Sequence, residues 1–137
     1  MPEFVPSFTL PDDLDEFTRD YLTAAEWTDC NEDREEMAEA TQFADSFIAK
    51  ARDDCADFQR ANASWLAKYQ ELTGYAGGTD FWLTRNRHGA GFWDRGNHAV
   101  FRLLTEAAHS HGSAELYAGD DGLVYEFGAE NYTSKGG

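Results

Sequence analysis

The stretch from Asp80 to Gly96, "DFWLTRNRHGAGFWDRG", decides the predicted fold because the hydrophobic period changes there. In "DFWLTR", Phe81 and Leu83 fall on one face of an extended chain and Trp82 on the other, as in a half-buried strand. "NRHG" is typical of a turn, and "AGFWD" predicts the partner strand of a hairpin. The segment is open to three interpretations: a catalytic loop, a binding surface or a tightly packed hairpin.

The rest of the C-terminal half predicts a helix and a second hairpin. Residues 95–112 place apolar side chains at helical spacing, and Gly112 is the predicted terminator. "AELYAGDDGLVYEF" (114–127) alternates on both sides of a Gly-flanked turn, which is the clearest hairpin pattern in the chain.

The N-terminal half predicts two helices, at 12–27 and 42–72, joined by the polar residues 29–41. The long helix carries an apolar stripe that ends before Gly74, and Asn62 in that stripe is expected to bond a neighbouring backbone group. Three carboxylates fall away from the stripe and predict a charged outer face: Asp53, Asp54 and Asp57.

Together these elements predict one α+β domain over residues 1–137, in the order α-α-ββ-α-ββ. N-terminal helices would pack on a mostly antiparallel sheet of four strands, or five if residues 4–10 add one. An acidic helical half, 1–73, would precede a ββαββ half, 74–137.

Composition favours a folded protein outside the membrane. The chain is 42% hydrophobic and 15% aromatic, and no apolar run approaches the roughly 20 residues that span a bilayer. "MPEFVPSFTL" lacks the features of a secretory signal, so we expect a cytoplasmic protein whose Cys30 and Cys55 stay reduced.

The negative charge is concentrated in the first half. Net charge is −15, of which residues 1–73 carry −12. Such a surface repels nucleic acid and anionic membranes and attracts basic surfaces. The alternative, at equal weight, is that the acidity only keeps the protein soluble.

Arg85, His88 and Asp94 are the candidate catalytic residues, since His titrates near neutral pH and these side chains flank the predicted hairpin mouth. The alternative is an exposed turn in which Asp94 only caps the next segment. The sequence holds no P-loop, HExxH, GxGxxG or serine elbow, and it predicts no metal site and no cofactor. It leaves enzyme activity open and favours a non-enzyme.

The arginines of this segment have two interpretations. Arg85, Arg87 and Arg95 stand beside aromatic residues and could bind phosphate or bases. Because the net charge opposes nucleic acid, we favour pairing with the protein's own carboxylates or with an acidic partner.

The motif "DFWLTRNRHGAGFWDRG", followed by a helix and "LYAGDDGLVYEF" (116–127), resembles the C-terminal part of a family of small bacteriophage and prophage proteins. "FTRDYLTAAEWT" (17–28) and "DCADFQRANA" (54–63) are similar to the family's N-terminal half. The chain departs from its relatives at Arg87, where they often carry Gly, and in the charged region 29–41. The resemblance implies a phage origin and no established activity, so it assigns no catalytic residue.

We therefore expect a phage-encoded anti-defence or host-takeover protein, such as an anti-CRISPR or anti-restriction protein, in the cytoplasm of an infected bacterium. It would occupy a basic groove of a host protein or ribonucleoprotein through an acidic surface that mimics nucleic acid, without binding nucleic acid or membrane itself. The expected contact residues are Glu35, Glu36, Glu39, Asp53, Asp54 and Asp57. The alternatives are a small enzyme, a phage structural or accessory protein, or a module that forms a homodimer through exposed aromatic side chains.

Overall fold

The computed structural model describes residues 7–30, 37 and 39–134. This part of the chain forms five α-helices, one 3-10 turn and three short strands. The helices are α1 (Glu16–Asp29), α2 (Asp45–Ala61), α3 (Ala63–Thr73), α4 (Gly78–Arg85) and α5 (Ala99–Ser110). The strands are β1 (Gln42–Phe43), β2 (Leu116–Ala118) and β3 (Leu123–Glu126), and the 3-10 turn is Phe92–Asp94.

The predicted fold class is wrong. The described residues form one mixed, three-stranded sheet in the order β1-β3-β2 and are mostly helical. β1 runs parallel to β3, with Gln42 opposite Leu123, whereas β2 and β3 form an antiparallel hairpin. That hairpin is the part of the predicted sheet that is confirmed. Of the predicted extra strand at 4–10, residues 4–6 lie outside the described residues and residues 7–10 form no strand.

The predicted hairpin at 80–94 is replaced by α4 and the 3-10 turn. All eight residues of α4 are buried, so the helix has no exposed face. An alternation over six residues cannot separate a strand from a helix that is buried all round. The turn after it is real, and Arg87 there adopts the left-handed conformation with φ of 56°.

The predicted long helix is two helices that meet at Asn62. Its side chain Nδ2 donates to the carbonyl oxygen of Phe58 at 2.9 Å, as expected. This bond to the preceding turn competes with helix continuation, and Asn62 has the non-helical φ, ψ of −123°, 27°. The first helix is confirmed, but it begins at Glu16 because Asp15 caps it by accepting from the Thr18 N–H at 2.8 Å.

The closest helix contact in the core joins α1 and α4. A Cβ on Gly78 would lie 1.8 Å from the carbonyl oxygen of Phe17, so only glycine permits this approach. Phe81 of α4 then stacks on Phe58 of α2 with ring centroids 4.2 Å apart, and Trp82 meets Tyr21 edge to face at 5.2 Å. Each such ring contributes about 1.5–3 kcal/mol through burial. The Asp80–Arg85 part of the segment and Phe92 therefore lie in the core, and the side chains of Asp80 and Arg85 are buried there.

Candidate functional site

Arg85, the last residue of α4, points into the interior with 3% of its side chain exposed. Its Nη1 donates to Asp54 Oδ2 at 2.8 Å and to the Tyr21 hydroxyl at 3.0 Å. Nε and Nη2 donate to the carbonyl oxygens of Gly112 and His111 at 2.9 and 3.2 Å. Because most of its N–H groups are engaged inside the protein, Arg85 ties α1, α2 and the end of α5 to α4.

Two of the three carboxylates predicted on the outer face of α2 face the interior instead. Asp54 lies between Arg85 and Lys50, whose Nζ donates to it at 2.7 Å. Asp53 is buried and accepts from the hydroxyls of Tyr132 and Ser134 at 2.6 and 3.0 Å. The apolar stripe of α2 packs on α1, while its adjacent flank faces β3 and the C-terminal segment. Because this second flank of α2 is also buried, Asp53 and Asp54 face the interior.

The third carboxylate, Asp57, forms a hydrogen bond and ion pair with Arg60, whose side chain is largely exposed. Of the three, Asp57 is the one whose ion pair lies at the surface. Of the other three predicted contact residues, Glu35 and Glu36 lie outside the described residues, and Glu39 is described below.

A buried carboxylate also holds the second half of the motif. Asp80 has no exposed surface and accepts from Arg95 through Nε at 2.8 Å and Nη2 at 3.0 Å. The Tyr69 hydroxyl donates to the same carboxylate at 2.6 Å. Burial and the nearby Asp80 charge raise the pKa of Tyr69, which keeps it a neutral donor. Arg95 also lies over the Tyr75 ring, 4.9 Å from its centroid. The predicted internal pairing is therefore found for Arg85 and Arg95.

Arg85, His88 and Asp94, the candidate catalytic residues, have separate partners. His88 Nε2 lies 3.3 Å from Asp29 Oδ1, within ion-pair distance but outside hydrogen-bond geometry. Asp94 is exposed and accepts the Gly91 N–H at 3.1 Å. Since Arg85 is committed to Asp54, the three side chains do not act on a shared point. No sequence pattern indicated Asp29 as the partner of His88.

Exposed carboxylates gather at two places. The N-terminal acidic cluster is formed by Asp12, Asp13, Asp15 and Glu16, where α1 begins. The hairpin acidic cluster is formed by Glu39, Asp120 and Asp121, because the Thr41 N–H donates to the Gly122 carbonyl at 2.9 Å and brings residue 39 to the β2–β3 turn. A hydrogen bond from Tyr125 lowers the pKa of Asp121, which keeps it ionised. Glu39 is thus exposed, as its predicted role requires.

Exposed carboxylates outnumber exposed cations by a larger ratio than in the whole chain, which has 26 Asp and Glu against 11 Lys and Arg. Within residues 7–30, 37 and 39–134, twelve carboxylate side chains are exposed, against three arginines. The three arginines are Arg60, Arg87 and Arg102. The buried Arg85 and the half-buried Arg95 and Lys50 pair with Asp54 and Asp80, so these cations add little positive charge to the surface.

A cleft beside Trp93 was not predicted. Trp93 is 50% exposed, and the cleft runs from it along the first turns of α5. The only signal in the sequence is a tryptophan between the buried Phe92 and the capping Asp94, which periodicity cannot assign to a surface.

Comparisons with protein-family models, curated proteins and solved structures return no match. The resemblance to phage proteins therefore stays a prediction. No helix among the described residues is both long and apolar enough to cross a membrane. In the same residues, no group of three or more His, Cys, Asp or Glu side chains is arranged to hold a metal ion.

Proposed function

We propose that the protein is a non-catalytic, phage-encoded inhibitor of a host nucleic-acid-binding protein or ribonucleoprotein. Its acidic surface would occupy the basic groove in which the host protein binds nucleic acid. The imbalance between exposed carboxylates and exposed arginines supports this proposal. Charges of one sign, left without neighbouring counter-charges, produce the field that steers a protein to a basic partner.

The contact surface in this proposal differs from the one expected from sequence. Asp53 and Asp54 are engaged inside the protein, which leaves the two acidic clusters as the surface that meets the partner. In the N-terminal acidic cluster, Asp13 forms a 2.8 Å ion pair with Arg52. The Asp13 side chain is exposed, so this ion pair is weak, and a cation of the partner can replace Arg52.

A capture experiment from bacterial lysate tests the proposal. The immobilised protein should retain a nucleic-acid-binding host protein at low salt, and added duplex oligonucleotide should release it, because both compete for one groove. Raising the NaCl concentration from about 50 to about 300 mM should weaken capture strongly. Capture that is unaffected by the oligonucleotide would contradict mimicry.

Matched variants separate a defined surface from net charge alone. The triple variant Asp12→Asn, Asp13→Asn, Glu16→Gln removes three charges from one cluster and spares Asp15, which caps α1. The control Asp45→Asn, Glu71→Gln, Glu115→Gln removes three exposed charges that lie outside both clusters. We expect the cluster variant to lose roughly tenfold or more in affinity and the control much less. Equal losses would mean that the acidity has no directed role.

A further inference from the structure

The 3-10 turn holds Trp93 rigidly at the surface. The Gly91 N–H donates to Asp94 Oδ1 at 3.1 Å, and the Phe92 N–H donates to Thr84 Oγ1 at 3.0 Å. The residue after the turn, Arg95, is fixed by its two bonds to the buried Asp80. An exposed indole on a backbone that is anchored by buried polar bonds is a pre-organised contact, and such residues dominate binding energies.

The cleft beside this indole has the size of a small-molecule site. Its volume is about 360 Å³, within the range of about 300–1,000 Å³ usual for such sites. Phe101, which is 5% exposed, lines it together with Trp93 and the N-terminal turns of α5. A Cβ on Gly96 would lie 3.2 Å from the Phe101 ring, so the backbone approaches this ring closely. Trp93 therefore offers an exposed aromatic surface to a ligand, and the nearly buried Phe101 lines the cleft beside it.

The cleft also contains two opposite charges that are not paired. Arg102 and Glu106 both line it and are both exposed, at positions i and i+4 of α5. Neither forms an ion pair or hydrogen bond with another residue in the part of the chain that the structure describes. Residues at positions i and i+4 of a helix have Cβ atoms about 5–6 Å apart. An ion pair is weaker when the cation precedes the anion, as Arg102 precedes Glu106. One side of the cleft thus presents a guanidinium and a carboxylate that remain available.

His98 also lines the cleft. Its Nδ1 accepts the Val100 N–H at 3.0 Å and caps α5. With Nδ1 as the acceptor, the ring donates through Nε2.

We infer that this cleft binds a small aromatic zwitterion, a free aromatic amino acid or a close relative of one. The ring would pack on Trp93, the carboxylate would pair with Arg102, and the ammonium group would pair with Glu106. A ligand with only a negative charge would be repelled by Glu106, and a ligand with only a positive charge would be repelled by Arg102. This site is separate from both acidic clusters, so the inference does not depend on the proposed function.

The probe is L-phenylalanine, whose weak ultraviolet absorption leaves tryptophan signals readable. Its binding is measured by calorimetry and by the nuclear magnetic resonance shift of the Trp93 indole N–H. For a ligand of this size we expect a Kd of about 1 mM or tighter. The analogues 3-phenylpropionate, without the ammonium group, and 2-phenylethylamine, without the carboxylate, should each bind roughly tenfold more weakly.

Variants connect each charge of the probe to one side chain. Trp93→Leu should abolish binding. Arg102→Gln should weaken L-phenylalanine to the level of 2-phenylethylamine, and Glu106→Gln should weaken it to the level of 3-phenylpropionate. The controls are Trp65→Leu and Arg87→Gln, an exposed tryptophan and an exposed arginine that do not line the cleft. They should bind like the parent.

Three results would overturn the inference. The first is no shift of the Trp93 indole at about 10 mM L-phenylalanine, a concentration that nearly saturates a site of millimolar affinity. The second is equal binding of L-phenylalanine and both analogues. The third is equal loss of binding in Trp93→Leu and Trp65→Leu.

Discussion

The Asp80–Gly96 segment and the start of α1 carry charge in opposite ways. In the segment, Asp80, Arg85 and Arg95 face the interior, and each has a partner of opposite sign. At the start of α1, the N-terminal acidic cluster lies on the surface and is mostly in contact with water. The Asp80–Gly96 segment, whose composition resembles that of an active site, uses these charges to stabilise the fold. The N-terminal acidic cluster is the region that is accessible to a partner.

The difference follows from the cost of burying charge. A charge taken out of water is tolerated when hydrogen bonds and an opposite charge satisfy it, and its removal leaves the partner uncompensated. Arg85 therefore fixes how α1, α2 and α5 sit around α4, and Arg95 fixes the end of the 3-10 turn to α4. A dense cluster of charged and aromatic residues does not indicate an active site when its charged side chains pair with other residues in the interior of the same protein.

The largest expected effect separates two aspartates of α2. Asp54→Ala leaves Arg85 buried without its carboxylate and should cost about 3–5 kcal/mol in the free energy of unfolding. Asp57→Ala removes a pair whose Arg60 side chain is 73% exposed and should cost about 1 kcal/mol or less. Urea denaturation measures both. Equal losses would remove the distinction between interior and surface charge.

The next effect tests the contact that brings the segment into the core. Gly78→Ala places a Cβ 1.8 Å from the Phe17 carbonyl oxygen, so α1 and α4 must separate, at a cost of about 2–3 kcal/mol. Gly89→Ala is the control, since a Cβ there meets nothing within 4 Å. A stable Gly78→Ala variant with the parent's melting temperature would show that the helices cross elsewhere.

Arg87 should respond in the opposite direction. Its left-handed backbone is strained for any residue with a Cβ, so Arg87→Gly should stabilise the protein by about 0.5–1 kcal/mol. Arg87→Ala keeps the strain and should leave the melting temperature nearly unchanged. If Gly and Ala behave alike, the gain does not come from the backbone.

The smallest effect concerns Glu126 in β3. Burial raises its pKa above 4.5, although Lys50 and Arg85 act in the opposite direction. Its Oε1 has no hydrogen-bond partner among the described residues. A raised pKa in the folded state adds stability below the unfolded pKa, and that stability is lost as pH rises through the folded value. The difference in unfolding free energy between Glu126→Gln and the parent should therefore shift in favour of the variant as pH rises from acidic values to pH 7. A difference that stays constant at all pH values would contradict this.

The parts of the fold that could be predicted are the amphipathic ones. α5 and β3 each have a buried face and a less buried one, and that asymmetry is what periodicity detects. α1 is buried on all sides over Tyr21–Glu26, and there the length of the apolar pattern indicated a helix. α4 is buried on every side, so its six-residue alternation carried no information about its surroundings. The pairing of β1 with β3 joins residues about 80 positions apart, and no local pattern encodes it.

The candidate site was predictable to a similar extent. Internal pairing of the arginines followed from the chain's negative charge, which was an argument about the whole sequence. The identity of the partners was not predictable, because Asp54 lies off the apolar stripe of α2 and becomes buried only through a second flank. Trp93 and Trp82 look alike in sequence, yet one is half exposed and the other fully buried.

A double-mutant cycle on Asp80 and Arg95 tests the central claim most directly, since both residues belong to the motif and pair with each other at a buried carboxylate. Unfolding free energies of Asp80→Ala, Arg95→Ala and the double variant are measured in urea. If the charges of the motif serve the fold, the two single losses are large and the coupling free energy is about 2 kcal/mol or more. If the loss in the double variant equals the sum of the two single losses within about 0.5 kcal/mol, Asp80 and Arg95 do not stabilise the fold as a pair. The account of the motif's charges would then be wrong.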